Sequence, residues 1–196
     1  MIERQSWSPQ WVKKEKGKAL PVFFLRPGTV LERDEFEAEL EGRYGAAGVL
    51  PFQLREIARE GIKALAASPD DAETMIELIE RDYAIETGQD GAEPLTVKDK
   101  ARLKDVTEIL QKHWPDYRAA REQNSRHNNY LPTLAFMRWC DGWENVTDRD
   151  GETVAYERDD RGDIPDAVLR RVPAIMMRGA GFEAYQLQYG RAQAKN

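Results

Sequence analysis

The chain has 196 residues, 41% of them hydrophobic and 33% charged, with a net charge of −6. That length suits one domain or one and a half, with apolar residues enough for a core beneath a strongly polar surface. The acidic balance argues against general nucleic-acid binding, which needs a basic face, and no run reaches the ~18 apolar residues of a membrane span.

A lone cysteine, Cys140, excludes an internal disulfide and fits a reduced, cytoplasmic setting. The opening MIERQSWSPQWVKK has no apolar signal core. Residues 1–20 form a polar, basic arm with lysines at 13, 14, 16 and 18. Trp7 and Trp11 stand four apart and share a face if the arm is helical. They either tuck onto the body or contact a partner.

PVFFLRP (21–27) predicts a short strand near 22–25, closed by Pro27-Gly28. Thr29 and Glu32 have capping-box spacing, which predicts a helix to about Glu41, ending near Gly42 and Gly45. In LPFQLREIAREGIKALAAS, Pro51 suits a first turn. Leu54, Ile57, Ala58, Gly61, Ile62 and Leu65 then fall on one helical stripe. Ser68-Pro69-Asp70-Asp71 stops that helix and caps the next, whose stripe is Ala72, Met75, Ile76, Ile79 and Tyr83.

GQDGAEP (88–94) is a loop. Thr96 with Asp99 marks another helix start, with Val106, Ile109 and Leu110 on the apolar face, and Trp114-Pro115 breaks or restarts it. NSRHNNYLP (124–132) reads as a polar break before LPTLAFMRWCDGW, a short buried helix. VTDRDGETVAYERD predicts a hairpin near 145–158 about Asp150-Gly151. Asp163-Ile164-Pro165-Asp166 opens a last helical region, interrupted near Pro173 and at Gly179 and Gly181. The expected fold is mainly α with a small β element. Residues 21–196 form one mostly helical domain, with a possible subdivision at loop 88–94.

The search for chemistry gives few candidates. His113 and His127 lie far from Cys140 in sequence, and no spacing matches a zinc site. DRDGE (148–152) has a calcium-loop flavour but lacks the ligand positions of an EF-hand, so a hairpin turn explains it better. Cys140 lies in an apolar stretch, as inert structural cysteines do. GRYGAAG (42–48) lacks the Lys-Ser/Thr of a phosphate loop. Glu32, Glu35 and Glu39 read as a solvated helix face. Asn145-Val146-Thr147 is a glycosylation sequon without a secretory signal, and Arg161-Gly162-Asp163 reads as a turn. The close succession of helices at 51–67 and 69–86 suggests a helix-turn-helix, but Glu73, Glu77 and Glu80 on the second would repel phosphate. A binding or structural protein with no catalytic residues, metal or cofactor is the expectation. WCDGWENVTDRDG (139–151) reads as a core corner packed by Phe136, Trp139, Cys140 and Trp143. A partner-binding surface is the other reading for Trp143, as for Trp7 and Trp11, since exposed tryptophans make hot spots.

Three stretches together resemble a known family: PVFFLRPGTVLERDEFEAEL near the front, then Gly142, Trp143, Val146, Asp148, Asp150 and Gly151, then the ending Lys195-Asn196. This pattern, over about half the chain, resembles the tail assembly chaperones of long-tailed (siphovirus-like) bacteriophages. The basic arm and the middle helices have no match in it. The resemblance implies a non-catalytic protein of the host cytoplasm that keeps the tape-measure protein soluble and helps the tail tube protein assemble. It also implies a short and a frameshifted long form, and absence from the finished particle. A homo-oligomer stays open. The alternative is a structural phage component, a head–tail connector or minor tail protein, retained in virions.

Overall fold

A computed structural model describes residues 4–12, 19–160 and 162–193. The lysines at 13, 14, 16 and 18, Arg161, Lys195 and Asn196 lie outside the described residues. Among the described residues the fold is mainly α: seven helices accompany one small three-stranded antiparallel sheet. The chain divides into two compact units, one from residues up to Tyr44 together with those from Asn128 onward, the other Gly45–His127. Loop 88–94 lies inside the second.

In the first unit, β1 (Gln5–Trp7) pairs with β2 (Val22–Leu25), and β2 pairs with β3 (Cys140–Glu144). Helix α1 (Val30–Gly42) starts as its caps require. Thr29 Oγ1 accepts from the Glu32 amide at 3.2 Å, and Glu32 Oε2 accepts from the Thr29 amide at 2.7 Å. In the second unit, Pro51 opens α2 (Pro51–Leu65), Ser68 caps α3 (Pro69–Glu86), and Thr96 with Asp99 makes the capping box of α4 (Val97–His113). Their stripes meet in a core of Ala58, Ile62, Ile79, Val106, Leu110 and Tyr117. Gly61 permits close approach there, since a Cβ would stand 2.6 Å from Leu110 and 2.8 Å from the Trp114 ring.

Three local expectations are corrected. The polar stretch 124–132 is no break, because α5 (Pro115–Trp139) runs through it and through Pro132. Proline inside a helix leaves the carbonyl four residues earlier without its amide donor. That carbonyl, of Asn128, accepts from Arg178 Nη2 at 3.1 Å. Second, residues 140–143 are not the end of a buried helix but strand β3, in register with β2 through Phe23↔Trp143 and Val22↔Glu144, with an irregularity between Phe24 and Leu25. Sheet hydrogen bonds to a distant segment outweigh the local helical pattern. Third, the final helices are α6 (Asp166–Leu169) and α7 (Ala174–Gln193), separated at Pro173 as expected, yet α7 is continuous through Gly179 and Gly181. Those glycines are packing positions: a Cβ at 179 would overlap the Trp7 and Trp11 rings, and one at 181 would overlap the Pro132 carbonyl. The part of the arm that carries Trp7, Gln5–Trp7, is a strand, so Trp7 and Trp11 do not share a helical face.

The hairpin near 145–158 is present as a tight reversal. Thr147 bridges Thr153, and the Val154 amide donates to the Val146 carbonyl at 2.9 Å. Gln188, buried on α7, ties that helix to the turn after β2. Its Oε1 accepts from the Gly28 amide at 2.5 Å and its Nε2 donates to the Arg26 carbonyl at 3.3 Å.

Candidate binding site

Residues 139–151 form a packed corner. Trp143 is 6% exposed. It stacks on Phe136 at 5.9 Å between centroids, contacts Phe23 at 6.3 Å and meets Tyr156 edge-on at 4.9 Å. Its Nε1 donates to the Val154 carbonyl at 2.7 Å, so the one polar atom of the ring is satisfied. Trp139 is fully buried against Phe36, 4.7 Å between centroids. Burial pushes the Cys140 thiol up to about 12, which keeps it protonated and a poor nucleophile.

Of the three tryptophans put forward as partner contacts, Trp143 is buried, Trp7 is half-buried against Phe23 at 5.9 Å, and Trp11 is 50% exposed. Trp7 and Trp11 do meet, edge to face at 5.8 Å. A strand and the turn after it bring them together rather than a helical face.

The charged groups singled out in the sequence are engaged in holding the fold. Arg26 binds Glu32 at 2.6 Å, with Arg26 Nε 3.4 Å from Asp141, which also receives Arg4 and Arg158. The hydrogen bond from Arg26, with help from the Thr29 amide and against partial burial, lowers the Glu32 carboxyl to about 2. Arg138 bridges Glu35 and Glu39 at 3.6 and 3.0 Å. In DRDGE, Asp148 Oδ1 accepts from the Asp150 and Glu152 amides while Oδ2 binds Arg171 at 2.8 Å, so both carboxylate oxygens are engaged by the protein itself. His127 Nδ1 bonds the Ala46 carbonyl at 2.8 Å. Among the described residues no three His, Cys, Asp or Glu side chains converge as a metal site requires. Gly162, at φ 83, turns the chain before Ile164.

Open concave surface lies in the second unit. A groove of about 900 Å³ lies at the junction of α2 and α3, lined by the apolar Ala66, Ala67, Pro69, Ala72 and Ile76 and by the charged Lys63, Glu73, Glu77, Glu80 and Arg81. A second apolar hollow of about 310 Å³ shares Ala66 and Ala67 and is lined by Leu65, Met75 and Ile109 among others. Leu65 and Ile109 are exposed despite their places on the helical stripes. A third cavity, about 500 Å³, has Asp82, Glu86, Tyr117 and Arg121 among its lining residues. Sequence reasoning missed that cavity. The available signal was that Asp82 and Glu86 follow Ile79 by three and seven positions, placing carboxylates along the apolar stripe of α3.

No family model matches this chain, and no curated protein or solved structure matches it. Among the described residues no helix is long and apolar enough to cross a membrane.

Proposed function

We propose that this chain is a non-catalytic binding protein that holds amphipathic helices, acting as a tail assembly chaperone toward the tape-measure protein and assisting assembly of the tail tube protein. The open α2–α3 groove carries the reading. Its lining of alanines and a proline leaves room for the side chains of an incoming helix, which would dock through i, i+3 and i+4 anchors. A long helical chain with uncovered apolar stripes aggregates unless such a surface covers it. The mixed charges of the lining, Lys63 and Arg81 against three glutamates, suit reversible docking, because exposed ion pairs contribute little each.

Quantitative mass spectrometry of an induced lysate and of purified particles tests the reading. The chain is expected in the lysate and absent from virions; a fixed copy number in virions makes it a structural component instead. Ala67 is exposed and lines both apolar hollows. Ala67→Glu is expected to weaken binding of the tape-measure protein roughly tenfold or more, by setting an unpaired charge in the docking surface, with the melting curve unchanged.

A further inference from the structure

The charges around the α2–α3 groove are not equally used by the fold. Glu80 is held by Arg59 at 3.2 Å and by Arg55 at 3.6 Å. Arg81 pairs with Asp99 at 3.3 Å. Lys63 lies within electrostatic range of Glu56, two turns earlier on α2. Glu73 and Glu77 differ from these. Both line the groove and are exposed, and neither makes a hydrogen bond or ion pair among the described residues.

The two glutamates stand one turn apart on α3 and so share a side of that helix. Like charges at this spacing destabilise a helix, and no cation of the described residues offsets them. With the other three charged groups of the lining engaged, the groove presents an apolar surface beside two uncompensated negative charges. The apolar part extends further, because the neighbouring hollow shares Ala66 and Ala67 and reaches the exposed Leu65 and Ile109. That second hollow does not include Glu73 or Glu77, so the free charge belongs to the α3 part of the surface.

Charge complementarity selects the occupant. A surface of this kind favours a partner with cations beside its apolar stripe and rejects one with anions there. A second copy of the chain is disfavoured, since each copy carries a net charge of −6. A pair of lysines or arginines at i and i+4 on an incoming helix has the spacing of Glu73 and Glu77.

We infer that the helix held by this groove is basic, with lysine or arginine one turn apart beside its apolar stripe and facing Glu73 and Glu77. The inference rests on the reading of the groove as a helix-holding surface and adds the charge of the partner.

Three labelled amphipathic peptides test it by fluorescence anisotropy against the full chain. They share one leucine stripe and carry lysine, glutamine or glutamate at the flanking positions. The lysine peptide is expected to bind more tightly than the glutamine peptide by roughly three- to tenfold, and the glutamate peptide more weakly than either. Raising the salt from about 0.05 to about 0.5 M, which shortens the screening length about threefold, should erase most of that preference. Glu73→Gln with Glu77→Gln should remove the preference without lowering the melting temperature. Asp34→Asn with Glu41→Gln makes the same charge change at exposed positions of α1 and should leave the preference in place. Ala67→Glu should weaken the glutamine peptide, which locates docking in the groove. Equal binding of the three peptides, or a lysine preference that survives in the Glu73 and Glu77 double variant, overturns the inference while the helix-holding reading stands. Binding of none of the three overturns that reading and the inference with it. A concentration-dependent dimer that Ala67→Glu disperses assigns the groove to a second copy and also overturns the inference.

Discussion

Gly181→Ala isolates the contact on which α7 depends. The position is helical, and alanine is a better helix former than glycine by ~0.5–1 kcal/mol, so local propensity alone favours the variant. The tertiary contact opposes it. The new methyl would overlap the Pro132 carbonyl oxygen and stand 2.6 Å from its carbon, both of them backbone atoms that no rotamer change moves aside. Overpacking of this kind costs ~1–3 kcal/mol. Relief by moving α7 outward stretches the Arg178 bond to the Asn128 carbonyl, 3.1 Å long and 50 residues distant in sequence, worth another ~0.5–1.5 kcal/mol. The balance is a destabilisation of about 1–4 kcal/mol, centred near ~2, which for a chain of this size lowers the melting temperature by roughly 4–8 °C. Gly42 is the control. It closes α1 with nothing within 4 Å of its missing Cβ, so Gly42→Ala is expected to be neutral or slightly stabilising. Paired thermal and urea melts of the two variants read the difference. A Gly181→Ala protein as stable as the Gly42→Ala protein refutes the reasoning, because propensity would then have decided the outcome.

The corner at 139–151 makes a second prediction: Trp143→Ala removes three aromatic contacts and the bond to Val154, and is expected to cost ~3–5 kcal/mol, seen as a large fall in the urea midpoint. A normal melt with lost partner binding would instead make that tryptophan a contact residue. Third, Glu32 ties acid stability to the start of α1. Its folded carboxyl titrates at about 2, below the ~4.3 of an unfolded chain, so its contribution is complete above the unfolded value and disappears as pH falls towards the folded one. Glu32→Gln should flatten the acid limb of the stability curve between those values. Equal slopes for the two proteins would rule out this source.

The helix starts were legible in the sequence because their determinants are local. Thr29 with Glu32, Ser68 and Thr96 with Asp99 each close hydrogen bonds across three residues, and the stripe through Leu54, Ala58 and Ile62 repeats with the helical period. The strand at 22–25 was legible for the same reason, as an apolar β-like run ended by a proline turn. The polar part of the third cavity's lining was half legible. Asp82 and Glu86 fall along an apolar stripe, but Tyr117 and Arg121 come from α5, and nothing in the spacing joins them.

What the sequence by itself determined is where α1 to α4 begin, the apolar stripes that α2, α3 and α4 bring to their shared core, and that the chain is mainly helical. Tertiary structure alone decided the rest. Residues 140–144 became a strand because β2, more than a hundred residues earlier, offered its edge. Pro132 could stay inside α5 because Arg178 replaced the missing amide and Gly181 let the two helices approach. Hydrogen bonds closed within one turn can be read from neighbouring letters. Those closed between distant segments depend on which surfaces fold against each other, and that is settled only when the core is packed.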